Sequence, residues 1–239
     1  MKVTLVNVTP HAAELLIFTK STRLAMSPSL FHEIKAWPEE KKMAELEYMA
    51  NTIPSSWEFV DYVFLVEGVS RAYTHQQVRT RTASFAQQTM RVLPMGGYEY
   101  IHTDRNKQDQ EAVKVIYQTN ETIRNAYNKL IELGQPPEDA RGILPTNIST
   151  NIVCKFNLRT LCDLAKSRTG GRTQSEYQKV VNAMVDAVLE VHPWAEKFLF
   201  QQGRNRFDDI EEFAKREFKN DLMKKGELLK IVDKMRKGE

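Results

Sequence analysis

Residues 70–91 read SRAYTHQQVRTRTASFAQQTMR, a stretch in which Arg71, Arg79, Arg81 and Arg91 stand among amides and hydroxyls without a single carboxylate. A water-exposed helix face ordinarily mixes acids with its bases, so these guanidiniums lack a local counter-charge. Arginine forks bind phosphates in two-pronged fashion, and the composition therefore suits an anionic ligand. Ser84, Gln87 and Thr89 add neutral hydrogen-bonding groups suited to a base or a sugar. Composition alone leaves a second reading open, in which the arginines pair with carboxylates from elsewhere in the fold.

Working outward, Phe59 to Glu67 (FVDYVFLVE) is aromatic and β-branched and predicts a strand, and Ser70 to Val78 has helical character. Lys2 to Val8 alternates apolar and polar residues and predicts another strand. Glu33 to Asn51 predicts a helix interrupted or started at Pro38, with Glu39 and Glu40 suiting its first turn. Lys107 to Leu133 is the clearest helix: Val113, Ile116, Ile123, Tyr127, Leu130 and Ile131 recur at helical steps, and Gly134 before Pro136-Pro137 stops it. Ile148 to Phe156 predicts a further strand. Asn157 can cap a helix running through Arg168, and a last core helix starts at Thr173 or Ser175 and closes at Pro193. Strands mixed with long helices predict an α/β or α+β domain. Arg204 to Glu239 is a highly charged tail with helical character, read as a solvated face.

The whole chain narrows the function classes. A length of 239 residues allows a full core, and a net charge of +3 is too small to mark a nucleic-acid binder. Apolar runs such as Val63 to Val66 are too short to cross a bilayer, and the first residues lack a signal-peptide core. Cys154 and Cys162 cannot make a disulfide framework, no Cys or His spacing suggests a metal site, and a reducing cytoplasm fits. GxGxxG, Walker A and GxSxG motifs are absent, which removes support for the usual nucleotide folds and the serine hydrolases.

The arginine stretch resembles a signature of flavin-dependent thymidylate synthases, one branch of which reads approximately EGxSRxxSHQxVRHRxASxxQQSQR. Here Glu67-Gly68-Val69-Ser70-Arg71, His75-Gln76, Val78-Arg79-Thr80-Arg81, Ala83-Ser84 and Gln87-Gln88-Thr89-Met90-Arg91 keep that spacing unbroken. A second block, Pro137-Glu138-Asp139-Ala140-Arg141 through Leu144-Pro145, resembles the family's PEDARxxLP. Asn157-Leu158-Arg159, Leu161, Arg168 and Arg172-Thr173-Gln174-Ser175-Glu176 then fall at the distances of its NxRxLxHFxxLR and AQWE. The likeness covers roughly residues 1 to 200.

The resemblance implies a mixed α/β subunit with a central, mainly antiparallel sheet flanked by long helices, in a domain spanning residues 1–203 with residues 204–239 as a helical extension. It implies methylation of dUMP to dTMP with methylenetetrahydrofolate, FAD and NADPH, in a homotetramer whose active sites are shared between chains. It puts Gln76, Gln87, Gln88, Thr89, Arg91 and Arg141 on the nucleotide. Arg168 is implied to face the pyrimidine as the catalytic residue, and Arg79, Thr80, Arg81, Asn157 and Asp163 fall at flavin positions. Several family histidines are replaced: Thr80 stands in the triplet, Asp163 in the LLHFF-type segment, and Ile53 and Phe59 in a segment resembling HxSxxEH. The new acid at 163 invites pairing with Arg159 or Arg168, or with an amino group on the ligand. Two alternatives stay open: a paralogue acting on dUMP or dCMP with a hydroxymethyl or methyl product, and a non-catalytic nucleotide-binding protein.

Overall fold

The structure is a computed structural model that describes all residues except 23, 25, 53, 94, 169–172, 201–209, 211–212, 215–216, 219–220 and 238–239. The position of Ile53 therefore lies outside the described residues, as does that of Arg172. The chain divides into two units, Met1–Leu199 and Phe200–Glu239.

In the first unit the elements run β1 (Lys2–Val8), α1 (Ala12–Lys20), α2 (Pro28–Lys35), α3 (Glu39–Ala50), β2 (Asp61–Ser70), α4 (Arg71–Gln77), β3 (Ala83–Gln87), α5 (Asp104–Lys107) and α6 (Gln110–Glu132). They continue with α7 (Pro137–Ala140), β4 (Ser149–Asn157), α8 (Leu158–Arg168), α9 (Ser175–Val191) and α10 (Glu196–Leu199). The four strands form one antiparallel sheet in the order β1-β2-β4-β3. This is the mixed α/β class the sequence predicted.

Alternation decides which face is covered. On β2, Tyr62, Phe64 and Val66 are fully buried, and on β4 so are Ile152, Cys154 and Phe156. Their opposite neighbours Val153 and Lys155 are exposed, so one face of the sheet carries the core, as antiparallel sheets permit. Onto that core α8 lays Leu158 and Leu161, and α9 lays Tyr177, Val180, Val181, Met184 and Val188. Helices α1 to α3 add Leu16, Ile17, Ile34, Leu46 and Met49.

Near its end β2 bulges against β4 between Val66 and Val69. Gly68 sits there at φ +64°, a conformation that strains residues bearing a Cβ. The bulge delivers the chain into Ser70, whose hydroxyl caps α4 by accepting from the Tyr73 amide at 3.0 Å.

Three sequence expectations change. The predicted single helix from Lys107 is broken, because Asp109 accepts from the amides of Glu111 and Ala112 and starts α6 two residues beyond α5. Its apolar face stays outside the main core cluster: Tyr127 is buried, while Val113, Ile116, Ile123, Leu130 and Ile131 are only partly buried. Residues 83–87, predicted only as part of a polar stretch, form edge strand β3 because β4 provides it a hydrogen-bonding partner.

The second unit contains α11 (Leu222–Lys237). Upstream of it Phe213 and Phe218 meet edge to face at 6.4 Å.

Candidate active site

Short helix α4 is held by the second signature block. Glu176, at the start of α9, accepts from the Ser70 amide at 2.7 Å and from the Ser70 hydroxyl at 2.5 Å. Gln174 accepts from the Gln76 side-chain amide. Gln87 at the end of β3 donates to Thr74 at 2.9 Å, fixing strand to helix. Residues about a hundred positions apart thus form one hydrogen-bonded body around α4.

Beyond the N-terminus of α4 lies a group of arginines. Arg91 donates through Nε to Glu138 at 2.6 Å, and Arg141 donates to the Glu138 backbone carbonyl at 3.1 Å. Arg71 donates to the Gln88 carbonyl at 2.7 Å. Burial, and then the neighbouring Arg141 guanidinium, depress the Arg71 pKa below the usual arginine range. Gln88 and Thr89 are exposed on the strand-to-loop turn beside them, the Thr89 hydroxyl accepting from the Arg91 amide at 3.0 Å.

The C-terminal end of α4 opens on a separate cleft of about 210 Å³, lined by Arg79, Thr80, Thr82, Thr160, Asp163 and Arg168. Arg168 lies over the Tyr177 ring at 5.2 Å, and its Nε is buried without a hydrogen-bond partner. Burial raises the Tyr177 pKa, with Thr80 and Arg168 beside the phenol offsetting part of the rise. The arginine therefore rests on a neutral ring and keeps its charge for a ligand. Thr82 and Thr160 share a hydroxyl–hydroxyl bond of 2.9 Å, which ties α8 to the start of β3.

The sequence-predicted residues thus divide. Arg79, Thr80, Asp163 and Arg168 converge on the cleft; Arg91 and Arg141 share Glu138; Gln76 and Gln87 brace α4. Arg81 is exposed without an ion pair among the described residues. Asn157 acts as the cap of α8, its side-chain oxygen accepting from the Thr160 amide at 2.8 Å. The expected pairing of Asp163 with Arg159 does not form, because Arg159 in the first turn of α8 reaches back to Glu58 at 2.6 Å. Asp163, one turn later, faces the cleft and makes no ion pair among the described residues. Phe59 is exposed.

Both cysteines are buried, and burial pushes each thiol up to about 12, so neither is a ready nucleophile. Among the described residues no group of three His, Cys, Asp or Glu could hold a metal ion. Nor is any helix among them long and apolar enough to cross a membrane.

The cleft suits part of a flavin nucleotide in chemistry. Arg79, without an ion pair among the described residues, offers a guanidinium for a phosphate, and Arg168 and the threonine hydroxyls suit a polar ring edge. Its 210 Å³ falls below the roughly 300–1,000 Å³ of pockets that enclose drug-sized ligands, so this cleft by itself accommodates only part of a dinucleotide.

The chain matches the thymidylate synthase complementing protein family over residues 4–194. It is similar to the flavin-dependent thymidylate synthase of Clostridium tetani, 28% identical over 81% of this chain and 84% of that protein. The corresponding protein of Sulfolobus acidocaldarius is 33% identical over 71% of this chain and 68% of its own length. That of Pyrococcus horikoshii is 30% identical over 80% of both. A match spanning sheet, α4 and both signature blocks makes this chain a member of the flavin-dependent thymidylate synthase family.

Proposed function

We propose that this protein converts dUMP to dTMP, with methylenetetrahydrofolate as carbon donor, FAD as redox cofactor and NADPH as reductant. The observation that carries the reading is the meeting of both signature blocks around α4, through Ser70–Glu176 and Gln76–Gln174, in a chain matched by the family over most of its length. FAD, when bound, supplies the electron transfer. The chain's own residues bind and polarise. Arg91 and Arg141 hold the phosphate, with Gln76, Gln87, Gln88 and Thr89 contributing along the nucleotide. Arg168 faces the pyrimidine and stabilises negative charge that develops on the ring as C5 becomes nucleophilic. Arg79, Thr80, Arg81, Asn157 and Asp163 form the flavin surface.

On this reading residues 1–203 are the catalytic, flavin-dependent thymidylate synthase-like domain and residues 204–239 a charged extension. Four chains assemble and complete each other's sites, which the small cleft and the incompletely buried apolar face of α6 support. The enzyme works in the cytoplasm and binds neither nucleic acid nor membrane.

The carboxylate of Asp163 in the cleft, without an ion pair among the described residues, favours one second reading, a family paralogue that acts on an amino-bearing pyrimidine such as dCMP or makes a hydroxymethyl product. One assay separates the two. Purified protein with FAD, NADPH and methylenetetrahydrofolate is given dUMP or dCMP, and the products are identified by mass spectrometry. Formation of dTMP from dUMP alone is expected. A hydroxymethylated product or turnover of dCMP selects the second reading, and no turnover with either nucleotide overturns both.

A further inference from the structure

Thr74 is wholly buried in α4, and the family resemblance assigns it no role. Its hydroxyl carries one hydrogen, which goes to the Arg71 backbone carbonyl at 3.1 Å, since a carbonyl can only accept. Toward Gln87 the same oxygen can therefore only accept. It does so at 2.9 Å, from the side-chain NH2 of Gln87.

The consequence lies at the other end of that amide. Gln87 closes β3 opposite Ile152, so its backbone is fixed and only the side chain can turn. The two ends of a glutamine amide are nearly identical in shape and opposite in hydrogen bonding, so a neighbour of fixed polarity decides which end is offered to a ligand. With its NH2 held on Thr74, Gln87 is left with its carbonyl oxygen. That oxygen makes no hydrogen bond among the described residues and is not one of their buried unpartnered atoms, so a ligand can reach it.

We propose that Thr74 is a positioning residue for the nucleotide: it sets the polarity of Gln87, so that this amide accepts a hydrogen bond from a donor on the substrate. The proposal rests on the reading of Gln87 as a nucleotide-binding residue and names what fixes its orientation. A uridine deoxynucleotide carries two neutral donors of the required kind, the 3′-hydroxyl of the sugar and the N3–H of the base. Turned over, the amide would set its NH2 against such a donor and leave both groups unsatisfied.

Thr74 also fastens Gln87 to α4, so its replacement needs a measurement that a structural role would not move. Full-length protein with FAD present is titrated calorimetrically with dUMP and two analogues. One is 2′,3′-dideoxyuridine monophosphate, which lacks the sugar donor; the other is N3-methyl-dUMP, which lacks the base donor. Thr74→Val keeps the shape of the side chain and removes its oxygen, Thr74→Ala removes the oxygen with less bulk, and Thr74→Ser retains the hydroxyl. Wild type is expected to prefer dUMP over one analogue by roughly 10- to 100-fold, and which one identifies the donor. Thr74→Val and Thr74→Ala should lose most of that preference through weaker dUMP binding while affinity for that analogue holds. Thr74→Ser should keep it. Gln87→Met, which leaves Thr74 in place, should lose the same preference, and a preference that survives it overturns the proposal. So do equal losses for all three ligands, an unchanged preference without the Thr74 hydroxyl, or no preference in wild type, each leaving the nucleotide reading standing. A wild type that does not bind dUMP overturns that reading and the proposal with it.

Discussion

Arg168 shows how one residue gathers a role from its surroundings. The guanidinium lies over the Tyr177 ring, makes no ion pair among the described residues, and has a buried Nε without a hydrogen-bond partner beside the cleft it lines. Preorganised donors of this kind act on charge that develops in a transition state, and removing one lowers turnover by roughly 100- to 1,000-fold. Arg168→Ala should therefore lose kcat by about that factor with an unchanged circular dichroism spectrum; a variant of near wild-type turnover sinks the assigned role. The family resemblance had singled out Arg79, Thr80, Asp163 and Arg168, and these four do share one cleft. The Arg71 contact was not legible, because its partner, the Gln88 carbonyl, is brought to it only by the fold. Asp163 was half legible: its acid was evident, but the choice of Arg159 for Glu58 depends on where the preceding 3-10 turn packs.

Among the elements, α4 is too short to hold itself, since seven residues lie well below the length at which isolated helices persist. It depends on Ser70 as cap and on Glu176, which accepts both the Ser70 amide and its hydroxyl. Glu176→Gln would put an amide donor against the hydroxyl donor. The expected loss is about 1–3 kcal/mol of stability, read as a lower urea midpoint at constant slope. An unchanged midpoint would show that Glu176 is dispensable to the fold. Helices with strong periodicity, such as α9, were readable from sequence because their apolar side chains enter the core directly. Strand β3 was not, because ASFAQ has little strand character of its own and is ordered by pairing with β4. Helix α6 misled in the opposite sense: its periodicity is real, yet the face it marks fully buries only Tyr127 and lies outside the main core cluster.

At the scale of the molecule, His192 joins helix to sheet. It ends α9, shares a 3.1 Å hydrogen bond with the Tyr62 hydroxyl of β2, and packs on Trp194 at 5.0 Å. Burial depresses its pKa below 6.5, against a smaller opposing pull from Glu14. The unfolded chain therefore takes up this proton more readily than the folded one, so the His192 contribution is present above pH 6.5 and is lost as pH falls through the folded value. Thermal midpoints measured from pH 8 down to pH 5 should fall, and His192→Gln should flatten that dependence; an equal slope in the variant assigns the effect elsewhere.

The clamp between Ser70 and Glu176 spans 106 positions of chain, and that separation governs when the site comes into being during synthesis. A ribosome adds roughly 5–20 residues each second, so about 5–20 s pass between the emergence of these two residues. Throughout that interval the arginine stretch is outside the ribosome without the Glu176 clamp on its cap, and until residues 149–157 appear β2 lacks its inner neighbour as well. The hydrogen-bonded body around α4 is thus a late product of folding. A nascent chain stopped short of α9 carries the first signature in full and still lacks the groups that hold it in shape.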